Sequence, residues 1–145
     1  MKILVTGART FKNRLIVAEA FDFVSRFSAI HGGPVVVIHG GAGGADTLCE
    51  QEARSRGWHT AVVKALWSSY GNSAGHIRNG VMTYLGAHEG CAFEMPCTKE
   101  DCPDPAPHIT PRDGELPGGG GPGGDSHDTM GLQREGEMRT MEWEW

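Results

Sequence analysis

The sequence predicts an α/β sandwich of three layers around a mainly parallel sheet. Three observations carry that expectation. Pro34-Val35-Val36-Val37-Ile38 is a short β-branched run, bounded by Gly32-Gly33, of the kind that forms a buried parallel strand. It ends in glycines, and a segment of helical apolar spacing follows. Similar strand-like and helix-like segments alternate along the first 93 residues, which implies right-handed crossovers between parallel strands.

The elements follow in order. Residues 2–6 form a first strand, and Gly7-Ala8-Arg9-Thr10 turns into a long helix over residues 12–30. Leu15, Ile16, Ala18, Ala20, Phe23, Val24 and Phe27 make a stripe on it broad enough to cover a sheet. The second strand leads through His39-Gly40-Gly41-Ala42-Gly43-Gly44 into a helix over residues 45–56. Its apolar positions are Ala45, Leu48, Cys49 and Ala53, and Gly57 stops it. Thr60-Ala61-Val62-Val63-Lys64 reads as a third strand, and residues 88–93 as a fourth. Between them a second glycine-bearing loop runs from Trp67 through Gly71 to Gly75. A helix over residues 73–86 then carries Ala74, Ile77, Val81, Met82 and Leu85.

After Met95 the composition changes. Residues 96–124 hold most of the prolines and the run Gly118-Gly119-Gly120-Gly121-Pro122-Gly123-Gly124, which reads as a flexible insertion within a single domain spanning residues 1–145. Ser126-His127-Asp128-Thr129 can cap a short helix over residues 130–138. Residues 140–145 alternate Met141, Trp143 and Trp145 with Glu142 and Glu144, like an edge strand. A disordered tail is the competing reading, because Gly131 and Gly136 weaken the helix. Apolar side chains of that size favour docking.

At 145 residues the chain suits one domain. A net charge of -5 and a pI near 5.8 exclude a sequence-independent grip on nucleic acid, which needs clustered Lys and Arg. No run approaches the roughly 20 apolar residues that cross a bilayer, so the expectation is a cytoplasmic protein with no membrane partner. Cys49, Cys91, Cys97 and Cys102 are then reduced thiols rather than a disulfide framework.

The first glycine loop is where an anionic ligand would sit. Glycines let the backbone turn tightly and present N–H groups, and the positive N-terminus of the following helix points at the same place. A tight connection without a ligand is the plainer alternative. Arg78 and Asn79, just after the second loop, offer a guanidinium fork for phosphate oxygens and an amide for a ribose or base. Trp67 and Tyr70 are either stacking platforms or wall residues.

Several motifs together carry a family likeness. Leu4-Val5-Thr6-Gly7-Ala8-Arg9, His39-Gly40-Gly41-Ala42-Gly43-Gly44-Ala45-Asp46, Trp67 with Gly71, Ala74-Gly75 and Arg78-Asn79 resemble the YspA-like branch of the SLOG superfamily. These are Rossmann-like domains of bacteria and phages, related to the cytokinin-activating phosphoribohydrolases and to DNA-processing protein A. The resemblance implies a pocket for a nucleotide or ADP-ribose-type molecule across the carboxyl ends of the strands. It implies that Gly7, Arg9, His39, Gly40, Gly41, Gly43, Gly44, Asp46, Trp67, Arg78 and Asn79 bind that ligand. Arg9 has the alternative of a solvated surface arginine. Asp46 cannot attract a phosphate, so it either caps the helix or accepts from ribose hydroxyls. Ser126-His127-Asp128-Thr129 resembles the Ser-x-Gly-Thr turn before the family's last helix, with Asp128 in place of the glycine. Ser126 and Thr129 join the implied set on that basis.

The phosphoribohydrolases carry a Pro-Gly-Gly-x-Gly-Thr-x-x-Glu motif. Its threonine falls on Gly44 here and its glutamate on Thr47. With that carboxylate missing, the expectation is a non-catalytic binder that needs no cofactor, in its sharpest form a phage sponge that sequesters a host immune signalling nucleotide. The alternatives are a nucleotide or nucleotide-sugar hydrolase using His39, Asp46 or Glu50, and a ligand-sensing regulatory module. Cys97, Cys102 and His108, with Cys91, offer a loosely spaced zinc ligand set, against free thiols as the default. Homo-oligomers are common among SLOG-like proteins and are expected here.

Overall fold

A computed structural model of the chain describes residues 1–96, 107–108 and 139–144. In chain order the elements are β1 (Lys2–Gly7), α1 (Arg14–His31), β2 (Val36–His39), α2 (Ala45–Ser55), β3 (His59–Val62), α3 (Trp67–Tyr70), a 3₁₀ turn (Gly71–Ser73), α4 (Ala74–Leu85), β4 (Glu89–Pro96), β5 (Pro107–His108) and β6 (Arg139–Glu144). Strands β3, β2, β1 and β4 lie side by side in that order, all parallel, with Ile3 opposite Val37 and Val5 opposite Cys91. The α/β, Rossmann-like arrangement is as the sequence predicts.

β6 joins β4 in parallel, with Cys91 opposite Met141 and Phe93 opposite Trp143. The alternation at the end of the chain is thus strand, starting one residue before the expected span. The two-residue β5 pairs antiparallel with Met95 and Pro96. The rest of the Gly/Pro-rich segment, the helix expected over residues 130–138, and Ser126, Thr129, Cys97 and Cys102 lie outside the described residues. His108 is described only as a backbone position in β5.

Alternation along the strands sorts side chains into two layers of core. Ile3, Val5, Val37, Cys91 and Phe93 pack beneath α1 and α2, while Leu4 and Ile38 face the other way against Met82 of α4. Phe93 meets Phe11 edge to face at 5.3 Å between centroids, and Phe21 stacks on Trp58 at 5.2 Å. Each such ring contributes about 1.5–3 kcal/mol by leaving water.

The line of α1 that faces the sheet is Val17, Ala20, Phe21 and Val24, all buried, at the i, i+3, i+4, i+7 spacing of one helix face. The broader predicted stripe was off-centre. Ile16, Phe23 and Phe27 flank the buried line, and Leu15 is 81% exposed. The helix also begins two residues later than expected, because Asn13 caps it. Its Oδ1 accepts from the N–H groups of Leu15 and Ile16 at 3.1 and 3.4 Å. Arg56, after α2, ties the two helices together through Asp22, Glu52 and the carbonyl of Ala18.

Candidate functional site

The connection from β1 leaves toward the face covered by α1 and α2. The chain after β3 crosses to the opposite face, forms α4, and returns as β4 beside β1. That reversal is a switch point, and a crevice opens at the carboxyl ends of the strands beside it. Val5, Thr6 and Gly7 of β1 line it together with Arg9, Gly40, Ala42 and Asp46, and α4 closes it with Arg78, Asn79 and Met82.

Why the first loop takes its shape follows from close approach. Gly44 precedes α2 with φ +70, a left-handed conformation, and a Cβ on it would fall on the carbonyl of Ala8 and the backbone of Arg9. The start of α2 therefore rests directly on the turn after β1, and the Ala45 N–H donates to the Ala8 carbonyl at 3.2 Å. The Ala8 N–H in turn donates to the Phe93 carbonyl at 2.9 Å. The end of β1, strand β4 and the start of α2 are thereby locked to each other by backbone.

Two of the loop's amides are held by side chains of the protein. The Ala42 N–H donates to Asp46 Oδ2 at 3.0 Å, and the Gly41 N–H donates to His39 Nδ1 at 3.2 Å. Asp46 thus turns back from the first turn of α2 to hold the loop that precedes it, while the N-cap position is Gly44 and no side chain caps the helix, so the expected helix-capping role becomes one of bracing the loop. Asp46 is 5% exposed. Burial pushes its carboxyl above the ordinary range, against the Ala42 amide, His39 and Arg78, which all favour the charged form. His39 is fully buried. Accepting at Nδ1 places its proton on Nε2, which has no hydrogen-bond partner among the described residues.

Cationic recognition comes from α4. The Arg78 guanidinium crowds Gly40, so that a Cβ there would come within 2.5 Å of Nη1 and 2.6 Å of Cζ, and Nη1 donates to the Gly40 carbonyl at 3.5 Å. Its Nε donates to Asn79 Oδ1 at 2.9 Å, which fixes the plane of the fork. Gly40 is required by this close approach rather than by its own dihedrals. Arg9, on the opposite loop, also lines the crevice, with Asn79 and Met82 on the side of α4.

The structure brings Gly7, Arg9, Gly40, Asp46, Arg78 and Asn79 together in this crevice. It leaves Trp67, His39, Gly41, Gly43 and Gly44 off its walls. Gly41 and Gly44 shape the turn, and His39 buttresses it from below. Trp67 and Tyr70 are each about half exposed on α3, with the Trp67 ring over Gly75. The second loop is a helical turn and a 3₁₀ turn, with Gly75 already inside α4, and not a second glycine cradle. Val5, Thr6, Ala42 and Met82 were missed. Only the strand end before Gly7 could have pointed to Thr6.

Other groups considered for catalysis are engaged elsewhere. The Thr47 hydroxyl donates to the Ala42 carbonyl at 3.0 Å, and Glu50 pairs with Arg54 at 2.6 Å. Burial pushes the Cys91 thiol up to about 12 and raises that of Cys49 well above its usual value, so neither is a nucleophile at neutral pH. Among the described residues no cluster of His, Cys, Asp and Glu can hold a metal ion, and no helix is long and apolar enough to cross a membrane.

Comparison with known proteins agrees with this architecture. The family model described as YAcAr, the YspA, cpYpsA-related SLOG family, matches residues 1–70. The gene 61 protein of Mycobacterium phage D29 is 34% identical over 101 residues, which cover 65% of this chain and 77% of that protein. No solved structure gives a significant match. A glycine loop pinned by Asp46, a crevice at the switch point and these two matches together place the chain in the YspA, cpYpsA-related SLOG family.

Proposed function

We propose that the crevice binds a nucleotide-derived anion, of ADP-ribose or cyclic-nucleotide type, and releases it unchanged. The observation that carries this reading is Arg78 laid on Gly40 and aligned by Asn79, in a crevice shared with Arg9. Guanidinium forks suit phosphate oxygens, and charge-assisted bonds of that kind are among the stronger ones available to a small ligand. The loop amides of Gly41 and Ala42 are held by His39 and Asp46, so in this reading phosphate recognition falls on the arginines.

Two groups poised on either side of a glycosidic bond are what a hydrolase requires. Among the described residues Asp46 is the one carboxylate lining the crevice, and its Oδ2 accepts from the Ala42 amide of the loop. Capture without turnover removes a ligand from solution in proportion to the protein present. Its sharper form, sequestration of a signalling nucleotide, takes support from the phage origin of the relative. Mixing the protein with ADP-ribose, cyclic ADP-ribose and cyclic dinucleotides, then chromatographing the filtrate before and after heat denaturation, tests the reading. Depletion followed by intact recovery supports it. A new chemical species makes the protein a hydrolase and Asp46 its first suspect.

A further inference from the structure

A carboxyl is out of place in a crevice that takes an anion. Asp46 nevertheless lines it, 5% exposed, and Arg78 lies close enough to act on it electrostatically. The two residues grip one short stretch of loop. Arg78 Nη1 donates to the Gly40 carbonyl at 3.5 Å, and Asp46 Oδ2 accepts from the Ala42 N–H at 3.0 Å. Two residues of chain reach at most about 7 Å, so an anion held by the Arg78 fork also lies beside the Asp46 carboxyl. A charged carboxylate there opposes it. At an effective dielectric constant of about 20, like charges about 6 Å apart cost about 100-fold in affinity.

We propose that Asp46 takes a proton from solvent when the ligand binds and, as the neutral acid, donates from Oδ1 to a phosphate oxygen. Oδ2 goes on accepting from Ala42, because a protonated carboxyl is one donor with acceptor capacity left over. The proton returns to solvent on release, and no bond of the ligand breaks. This rests on the reading of the crevice as a site for a nucleotide-derived anion, and it adds a chemical preference to that reading. Phosphate oxygens, which only accept, fit a donor here. Ribose hydroxyls would instead favour the charged carboxylate.

The surroundings of Asp46 favour the step. Burial already raises its carboxyl above the ordinary range, and the negative charge of a ligand acts in the same direction. The groups that face it are His39 from the end of β2, Arg78 from α4 and Cys49 from its own helix, with Arg9 lining the crevice from the loop after β1. In the free protein the Ala42 amide, His39 and Arg78 favour its charged form. A phosphate on the Arg78 fork cancels one of those supports. Burial keeps the Cys49 thiol uncharged, and Glu50 is paired with Arg54, so neither adds a competing charge.

Calorimetry of the full chain with ADP-ribose between about pH 5 and pH 8, repeated in buffers of different ionisation enthalpy, counts the protons taken up. ADP-ribose suits the purpose because it has no phosphomonoester to titrate near about pH 6. Uptake is expected to approach one proton within that range, and affinity there falls by up to about 10-fold per pH unit. Asp46→Asn, whose amide keeps an acceptor for Ala42 and a donor for phosphate, takes up none and binds about 10- to 100-fold tighter than wild type at pH 8. In the wild type, an infrared difference spectrum gains a protonated-carboxyl band on binding. Binding without proton uptake at any of these pH values overturns the proposal, and so does uptake that persists in Asp46→Asn, as it would if His39 took the proton. ADP-ribose that is not bound at any pH overturns the binding reading itself.

Discussion

Replacing Gly40 by alanine separates ligand recognition from folding. The new Cβ would lie 2.5 Å from Arg78 Nη1, 2.6 Å from Cζ and 2.8 Å from Nε, where ordinary contact begins near 3.4 Å. Gly40 does not need a left-handed backbone, so strain falls on the guanidinium, the far end of a flexible side chain. It must retreat by about 1 Å, enough to break the 2.9 Å bond to Asn79 Oδ1 and lose the alignment of the fork. A charge-assisted hydrogen bond to a ligand phosphate is worth about 1.5–3 kcal/mol, so affinity falls about 10- to 100-fold. Stability changes by less than about 1 kcal/mol, since alanine also restricts the unfolded chain. Calorimetric titration of ADP-ribose, paired with thermal melts, reads both quantities. Arg78→Ala should match Gly40→Ala, and the double variant should be no weaker than either alone, because both remove the same interaction. Unchanged affinity in Gly40→Ala, or additive losses in the double variant, would refute the assignment of Arg78 to the ligand.

Gly44→Ala behaves in the opposite way. Its Cβ meets fixed backbone at a positive φ, so stability in urea melts drops by about 3 kcal/mol or more. Phe93→Ala, which empties the centre of the larger core and abandons Phe11, costs about 3–5 kcal/mol in the same assay. For Asp46 the sign follows from burial. With its native carboxyl pushed above 3.8, the folded state holds the proton more tightly, and stability falls as pH rises from 3.8 through the native value. Asp46→Asn keeps an acceptor for Ala42 without the buried charge. Its melting temperature should equal or exceed that of the wild type at pH 7, with the difference shrinking toward pH 4. Iodoacetamide mapping by mass spectrometry at pH 8 should leave Cys49 and Cys91 unmodified in the native protein and label both in urea.

The β2–α2 unit was legible because two local signals agree there. A β-branched run can only be strand, and the glycines before Ala45 can only be a turn. The end of the chain was legible for a similar reason, since the alternation of residues 140–145 is a strand pattern whatever precedes it. Where one residue type serves two purposes, the sequence misled. Gly71 and Gly75 read as a loop, but Gly75 lies inside α4, buried beside the Trp67 ring, a packing role that composition cannot distinguish from a turn. The stripe of α1 was blurred because apolar residues occupy more than half its circumference, and only the sheet decides that Phe21 faces inward while Leu15 does not. At the site, Arg78 and Asn79 could be suspected from their chemistry. Their meeting with Gly40, 38 residues earlier, depends on the crossover of α4 to the opposite face. The capture of Ala42 by Asp46 is local, four residues apart, yet it differs from the helix cap and the ribose contact that the sequence suggested for this residue.

Recovery of ligand tests the central claim most directly. Purified protein is mixed with radiolabelled ADP-ribose or a cyclic relative, filtered, and heat-denatured, and the released label is chromatographed. The crevice as described predicts that label is withdrawn from the filtrate, returns with its original retention time, and is no longer withdrawn by Arg78→Ala. Label that returns as ribose phosphate or free base, or that is never withdrawn at all, would contradict it.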